Sequence, residues 1–376
     1  MERTTVLMMI DGLDPAYLEA CPAPNLEQLA RDGFKVEAKA VMPTVTNVNN
    51  VSLVTASYPE EHGITSNFGR NRDQGQKTFQ DPKAFTEVYM ESGEYIRKET
   101  MFERATTQGA RSLLVTAKDK LRRLLGDGAT LSVSSEQPPD WVVAGVGEPP
   151  PIYSIEVNQW VFNAAQYILG KESFDLAYVT TTDYAMHTYS PEEPESLRHI
   201  EILDEAIGKL VDSVPQIQVL ITADHGMSAK DQMIHLPDVL AARGIAGQAV
   251  PIIKDMYTAH HSNLGGCIYL YLESEDVDRA VEVLKQVDGV EDALPRQEAA
   301  RRFRLMPERI GDVMVLGAPG VVFGDPQETE LPASLRSHGS LHEERVPVIG
   351  YGGSFDGFQF HENVDLGRYV FQHVLA

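Results

Sequence analysis

Short, unbroken apolar runs alternate along this chain with longer stretches in which apolar residues recur every three or four positions. Residues 4–10 (TTVLMMI) predict a buried strand that ends at Asp11-Gly12. Leu26, Leu29 and Ala30 predict a helix from Pro24 to Asp32, with Gly33 as its stop. Residues 34–42 predict a strand, about 47–57 a helix, 101–108 a helix closed by Gly109, and 112–117 a strand. Residues 129–150, richer in Gly, Pro and Ser, predict a loop around a short strand. A helix over 158–169, a strand over 176–180 and a long helix over 192–211 follow; Leu197, Ile200, Leu203, Ile207 and Leu210 form one stripe of the long helix. The run Val219, Leu220, Ile221 predicts the next buried strand, which stops at Thr222-Ala-Asp-His-Gly226. Strands alternating with helices in this way predict an α/β protein with a doubly wound, mainly parallel sheet.

The pattern changes after about residue 255. Strands over 267–272 and 313–316, a helix over 277–287 and an extended piece over 289–294 predict a small α+β cap insert at 262–328. Residues 1–261 and 329–376 then form the core, rejoined by a strand over 346–350 and closed by a helix over 366–375.

Composition narrows the function classes. The 376 residues carry a formal charge of −23, which argues against a nucleic-acid partner. An anionic substrate needs a local cationic pocket against that field. Two cysteines, Cys21 and Cys267, make neither a disulfide framework nor a thiolate zinc site. No apolar run approaches the length of a membrane span, and the first ten residues lead directly into a strand. A soluble, cytoplasmic protein without a membrane partner is expected.

The candidate chemistry sits where predicted strands stop. Open α/β sheets bind ligands beyond the carboxyl ends of their strands, and Asp11 and Asp224-His225 lie at such ends. Asp183 and His187, spaced i, i+4, share one face of a helical turn and can grip one metal. His338 precedes Gly339 in a further loop. Three carboxylates, three imidazoles and Thr46 make seven donors, a number that suits two divalent sites; oxygen and nitrogen ligands without thiolate fit zinc or manganese. Each residue also has a plainer reading, as a helix cap or a solvated loop residue. Thr46 opens the helix expected near 47–57, among free N–H groups at the positive helix end, where a metal-held hydroxyl becomes a nucleophile. Thr44 competes for that role.

Lys118 and Lys120 stand out in so acidic a chain. In an extended stretch, positions i and i+2 point to one side, and two ammonium groups there can hold a carboxylate; the plainer reading is a solvated, basic helix start. Asn67 can donate an amide hydrogen bond to a phosphoryl oxygen. His260-His261 carry no assigned role. There is no phosphate-binding Gly-x-x-x-x-Gly-Lys-Ser/Thr loop, no His-Glu-x-x-His and no Gly-x-Ser-x-Gly elbow, and Cys21-Pro-Ala-Pro-Asn lacks the sulfatase pattern.

Asp11-Gly12, the Thr46 segment, Asp183-x-x-x-His187, Asp224-His225-Gly226 and His338-Gly339 together resemble the two-metal alkaline phosphatase superfamily. Within it they are most similar to the nucleotide pyrophosphatase/phosphodiesterase branch. Pro43-Thr-Val-Thr-Asn-Val-Asn-Asn50, Thr65-Ser-Asn67-Phe and Thr116-Ala-Lys118-Asp-Lys120-Leu-Arg narrow the likeness to the phosphonoacetate hydrolase family. The resemblance implies an alkaline phosphatase-like fold with one metal held by Asp183, His187 and His338 and another by Asp11, Thr46, Asp224 and His225. It implies Thr46 as nucleophile, Asn67 on the phosphoryl group, and Lys118 and Lys120 on the substrate carboxylate. His342 is a rival to His338, which is preferred because the family ligand precedes Gly.

The activity implied is cleavage of the carbon–phosphorus bond of phosphonoacetate, a small anionic phosphonate, to acetate and phosphate through a phospho-threonine. The expected cofactors are two divalent ions, zinc first, with manganese or iron(II) as alternatives, and a homodimer is one open assembly. The alternative activity is a phosphodiesterase or nucleotide pyrophosphatase on the same metals, with an aromatic slot for a base drawn from Phe68, Tyr89 and Tyr257. A catalytically silent metal-binding protein is the third reading.

Overall fold

Strands with every position buried need a layer of helices on each face, and the computed structural model, which describes residues 3–71 and 86–376, has that arrangement. Its main sheet has seven strands in the order Phe34–Lys39, Arg345–Tyr351, Ile217–Thr222, Thr4–Met9, Leu176–Thr180, Ser112–Thr116, Leu131–Ser134. The last five of these run parallel to one another. Arg345–Tyr351 is antiparallel to both its neighbours. The doubly wound, mainly parallel α/β fold expected from the sequence is thus the fold observed.

The helix Glu156–Leu169 packs against Pro194–Ser213. Ile200, Leu203, Ile207 and Leu210 of the expected stripe are buried, whereas Leu197, in the first turn, is 38% exposed. Residues 129–150 hold more than a loop: besides the strand Leu131–Ser134 they form a helix, Asp140–Val146, which starts directly after Pro138-Pro139. Its single buried residue, Val142, left no periodic signal in the sequence. The terminal helix begins at Val364 and passes into a π-helical turn, Val370–Val374.

A second, antiparallel sheet has the order Gly247–Pro251, Cys267–Leu272, Val313–Gly317, Val290–Pro295. Its strands run from 247 to 317, so it begins ahead of the insert expected at 262–328. Alternation along Cys267–Leu272 fixes how this sheet sits. Cys267, Tyr269 and Tyr271 join the main core, while Ile268, Leu270 and Leu272 join a separate cluster with Ala280, Leu284, Val313 and Val315. Among the described residues, no helix is long and apolar enough to cross a membrane.

Candidate metal centre

Four adjacent strands of the main sheet run out at one edge, and each is followed by a charged side chain. In spatial order the strands ending at Thr222, Met9, Thr180 and Thr116 lead to Asp224, Asp11, Asp183 and Lys118. Neighbouring strands lie about 4.8 Å apart, so sheet geometry alone brings these groups side by side. All four are buried. Gly12 makes the approach feasible: its φ is +73°, and a Cβ there would lie 2.9 Å from the Asp183 Cβ. Gly226 serves space: its φ is not positive, and a Cβ would sit 2.4 Å from the Asp14 carboxylate.

Three imidazoles complete the cluster, and each has its tautomer fixed. Nδ1 of His187 faces the Arg336 carbonyl at 2.7 Å, that of His225 the Gly226 carbonyl at 2.9 Å, and that of His338 the Thr44 carbonyl at 2.6 Å. A carbonyl only accepts, so each Nδ1 carries the proton and each Nε2 presents a lone pair inward. Burial lowers the pKa of His225 and His338, which keeps both neutral. Their rings stack at 3.4 Å.

The donor set suits divalent cations. Ligand atoms of Asp183, His187 and His338 lie within 4.8 Å of one another, and so do those of Asp11, Asp183 and His225. Asp224 Oδ2 is 3.5 Å from His225 Nε2. Asp11 Oδ1, Asp224 Oδ2, His187 Nε2 and His225 Nε2 are buried without a hydrogen-bond partner, a costly state unless they bind something. Burial, then the charges of Asp183 and Asp224, raise the Asp11 pKa; burial, with Asp183, raises that of Asp224 to about 6. Burial also acts to raise Asp183, but the Lys118 ammonium outweighs it and holds it well below the usual carboxylate range.

Thr46 is the first residue of the helix Thr46–Thr55, with Val45 at the N-cap position, so its hydroxyl is not the helix cap. This helix is buried along its whole length, and asparagines tie it down. Asn50 Nδ2 donates to the Thr46 carbonyl at 2.9 Å, and Asn50 Oδ1 accepts from Tyr178. Asn49 bridges Val41 and Asn363, and Asn47 donates to the Met90 carbonyl. Asn67 Oδ1 accepts the Asn47 N–H at 3.0 Å. That leaves the Asn67 amide nitrogen as the donor, 3.5 Å from the Ile253 carbonyl. The Thr44 hydroxyl is occupied: it donates to the Ser340 carbonyl and accepts from the Gly339 N–H. His342 is turned away, paired with Glu291 at 2.6 Å.

The lysines differ from expectation in local structure. They do not lie in one extended stretch, because the helix Asp119–Leu125 begins between them, with Lys118 as its N-cap. Nor is this a solvated helix start, since both are buried. Lys118 Nζ donates to Asp11 Oδ2 at 2.8 Å and Asp183 Oδ1 at 3.0 Å. Lys120 Nζ lies 2.5 Å from Asp255 Oδ2. The ring of Tyr257 is 5.9 Å from Lys118 Nζ and 5.5 Å from Lys120 Nζ, and its hydroxyl donates to Glu136.

Sequence reasoning did not find Asp255 or Glu136, and it left His260 and His261 without a role. All four belong to the surroundings of the cluster. His261 Nε2 lies 3.3 Å from Asp255 Oδ1. His260 packs near His187, Tyr153 and Tyr184, with its Nδ1 buried and unpartnered. The one available signal was the adjacent His260-His261 just after an acid and an aromatic residue. Of the proposed aromatic slot, Phe68 and Tyr89 meet edge to face at 4.9 Å, with Lys254 over Phe68; Tyr257 sits over the lysines instead.

Comparison with known proteins places this arrangement. Residues 5–341 match the family model described as type I phosphodiesterase / nucleotide pyrophosphatase. A phosphonoacetate hydrolase from Sinorhizobium meliloti 1021, solved in complex with phosphonoformate, superposes with a TM-score of 0.89 at 31% identity, covering 99% of this chain and 96% of that one. The same enzyme in complex with phosphonoacetate gives 0.88. Human ectonucleotide pyrophosphatase/phosphodiesterase 5 shares the fold, with a TM-score of 0.72 at 17% identity over 99% of this chain and 94% of that one. Among curated relatives, the bis(5'-adenosyl)-triphosphatase enpp4 of Xenopus laevis is 25% identical over 248 residues, 62% of this chain and 50% of that protein. The Naja atra venom phosphodiesterase is 23% identical over 60% of this chain and 26% of its own length. The chain thus spans half or less of these two relatives.

Proposed function

The chain belongs to the type I phosphodiesterase / nucleotide pyrophosphatase family and is a hydrolase, and we propose that it cleaves the carbon–phosphorus bond of phosphonoacetate to give acetate and phosphate. One juxtaposition carries this reading: the buried ammonium of Lys118 stands directly beside the carboxylates of the candidate metal centre, and the buried ammonium of Lys120 lies over the same Tyr257 ring as that of Lys118. The 31% identity to a phosphonoacetate hydrolase across nearly the whole chain supports it.

Two divalent cations, zinc by preference, held by Asp183, His187 and His338 and by Asp11, Thr46, Asp224 and His225, would neutralise the phosphonate oxygens and ease loss of the Thr46 proton. Thr46 Oγ1 attacks phosphorus while Asn67 Nδ2 holds a phosphoryl oxygen. The new O–P bond replaces the C–P bond, whose electron pair moves onto carbon and spreads into the adjacent carboxylate. Carbanions leave poorly, so the enediolate charge needs a partner; Lys118 and Lys120 stabilise it more than they stabilise the ground state. The carbon takes a proton from solvent and departs as acetate. Water then attacks the phospho-threonine, releasing phosphate and restoring the hydroxyl. A cytoplasmic setting belongs to the same proposal, supported by two buried cysteines that remain unpaired.

A second reading, phosphodiester or pyrophosphate hydrolysis on the same residues, is favoured by the Phe68–Tyr89 pair, in which Tyr89 is 45% exposed and free to receive a base. The test is phosphate release from phosphonoacetate, methylphosphonate and an aryl phosphodiester by one metal-analysed sample. Turnover of phosphonoacetate well above the phosphodiester supports the first reading; the reverse order refutes it.

A further inference from the structure

We propose that Asp255 is a specificity-determining residue: a resident carboxylate that neutralises Lys120 while the substrate's carboxylate subsite is empty and yields that ammonium to the incoming ligand. This rests on the reading of Lys118 and Lys120 as the carboxylate subsite.

A buried ammonium without a counter-ion is expensive. The side chain of Lys120 is fully shielded from solvent, and that of Asp255 is 3% exposed. They meet through Lys120 Nζ and Asp255 Oδ2 at 2.5 Å. Lys118 is differently placed, because its ammonium already donates to Asp11 and Asp183. The two lysines are therefore not equivalent. Lys118 is held by the metal-centre carboxylates, and Lys120 is held by an acid that is no part of that centre.

Asp255 is built to let go without becoming an isolated charge. Its Oδ1 accepts the Tyr257 N–H at 2.7 Å and lies 3.3 Å from His261 Nε2, while its own N–H donates to Asn263 Oδ1 at 3.2 Å. When a ligand carboxylate takes over Lys120 Nζ, these partners still serve Asp255. The segment is also pinned independently of the ion pair, since the Tyr257 hydroxyl donates to Glu136. Asp255 thus sets the charge that a ligand meets. With it in place, a ligand carboxylate meets a Lys120 charge already offset by one resident negative charge, which weakens the binding of substrate and of acetate alike.

The test is Asp255→Asn, which keeps the shape and a hydrogen-bond acceptor but removes the competing charge. Since a charge-assisted hydrogen bond is no longer shared, KM for phosphonoacetate and the inhibition constant of acetate both fall by about tenfold. An aryl phosphodiester, which has no carboxylate, keeps its KM. An unchanged or higher KM for phosphonoacetate overturns the proposal, as does an equal shift with both substrates. If Asp255→Asn does not fold, Asp255→Ser is assayed in the same way: a lower KM for phosphonoacetate with an unchanged KM for the aryl phosphodiester supports the proposal, and an unchanged or higher KM for phosphonoacetate overturns it. If the wild-type enzyme releases no phosphate from phosphonoacetate, the proposed function falls instead, and the two failures are distinct.

Discussion

Replacing Lys120 by Met removes an ammonium from the fully shielded position beside Asp255 while keeping the volume of its stem. Two effects follow, and they differ in size and in what they report. On stability, breaking a buried pair by deleting one partner costs about 3–5 kcal/mol. Asp255 keeps the Tyr257 N–H at 2.7 Å and His261 Nε2 at 3.3 Å, which puts the loss near the low end, about 3 kcal/mol, within the roughly 5–15 kcal/mol of an ordinary domain. On catalysis, a hydrogen bond to a charged group is worth about 1.5–3 kcal/mol, so loss of one that strengthens toward the enediolate slows phosphonoacetate cleavage by roughly ten- to a hundredfold. An aryl phosphodiester places no carbanion there and keeps its rate to within about twofold. The assay is kcat/KM for both substrates on one metal-loaded preparation, with a thermal melt alongside. Adding Asp255→Asn to Lys120→Met relieves the stranded carboxylate and recovers melting temperature without recovering phosphonoacetate cleavage. Equal loss on both substrates refutes a role for Lys120 in carrying leaving-group charge, and recovery of activity along with stability refutes it equally.

Thr46→Ala removes the proposed nucleophile without touching a helix cap, so the fold persists while turnover falls by at least about a thousandfold; a variant close to wild-type rate eliminates Thr46. Chelation strips activity and lowers the melting temperature together, because the clustered Asp11, Asp183 and Asp224 then face one another without a cation; melting unaffected by chelator and by added zinc counts against a metal centre at these residues. His62 predicts a pH dependence away from the site. Burial, with Arg309 nearby, holds its pKa at about 3 against 6.5 for an unperturbed imidazole. The unfolded chain therefore binds the extra proton between these values, and stability falls as pH drops below 6.5 by up to about 1.4 kcal/mol per unit. Urea titrations of His62→Gln across this window show a shallower slope than wild type; identical slopes remove His62 from the account.

The parts of the molecule most legible in the sequence were those whose signal is local. Continuous apolar runs such as Val219–Ile221 marked the buried strands, and an acid or imidazole at their ends marked the cluster, because a parallel sheet delivers such positions to one edge. What escaped depended on distant partners. Lys118 and Lys120 read as a pair facing one way, yet the helix starting at Asp119 separates them, and each is neutralised by acids from elsewhere in the chain. Asp255 gave no local sign, since its importance comes from a lysine 135 positions away. Asp140–Val146 escaped for another reason: a short helix with one buried side chain has no period to detect. The second sheet was seen in part, because Gly247–Pro251 has only one buried residue and does not read as a strand alone.

The backbone ladder of the main sheet acts as a ruler for the edge that carries the candidate metal centre. Asp224, Asp11 and Asp183 are mounted on three consecutive rungs, so their separation is inherited from peptide hydrogen bonding and not tuned by the side chains. Insertion or deletion of one residue ahead of any of these acids displaces it by about 3.3 Å and flips it to the opposite face, which makes these strands intolerant of length change.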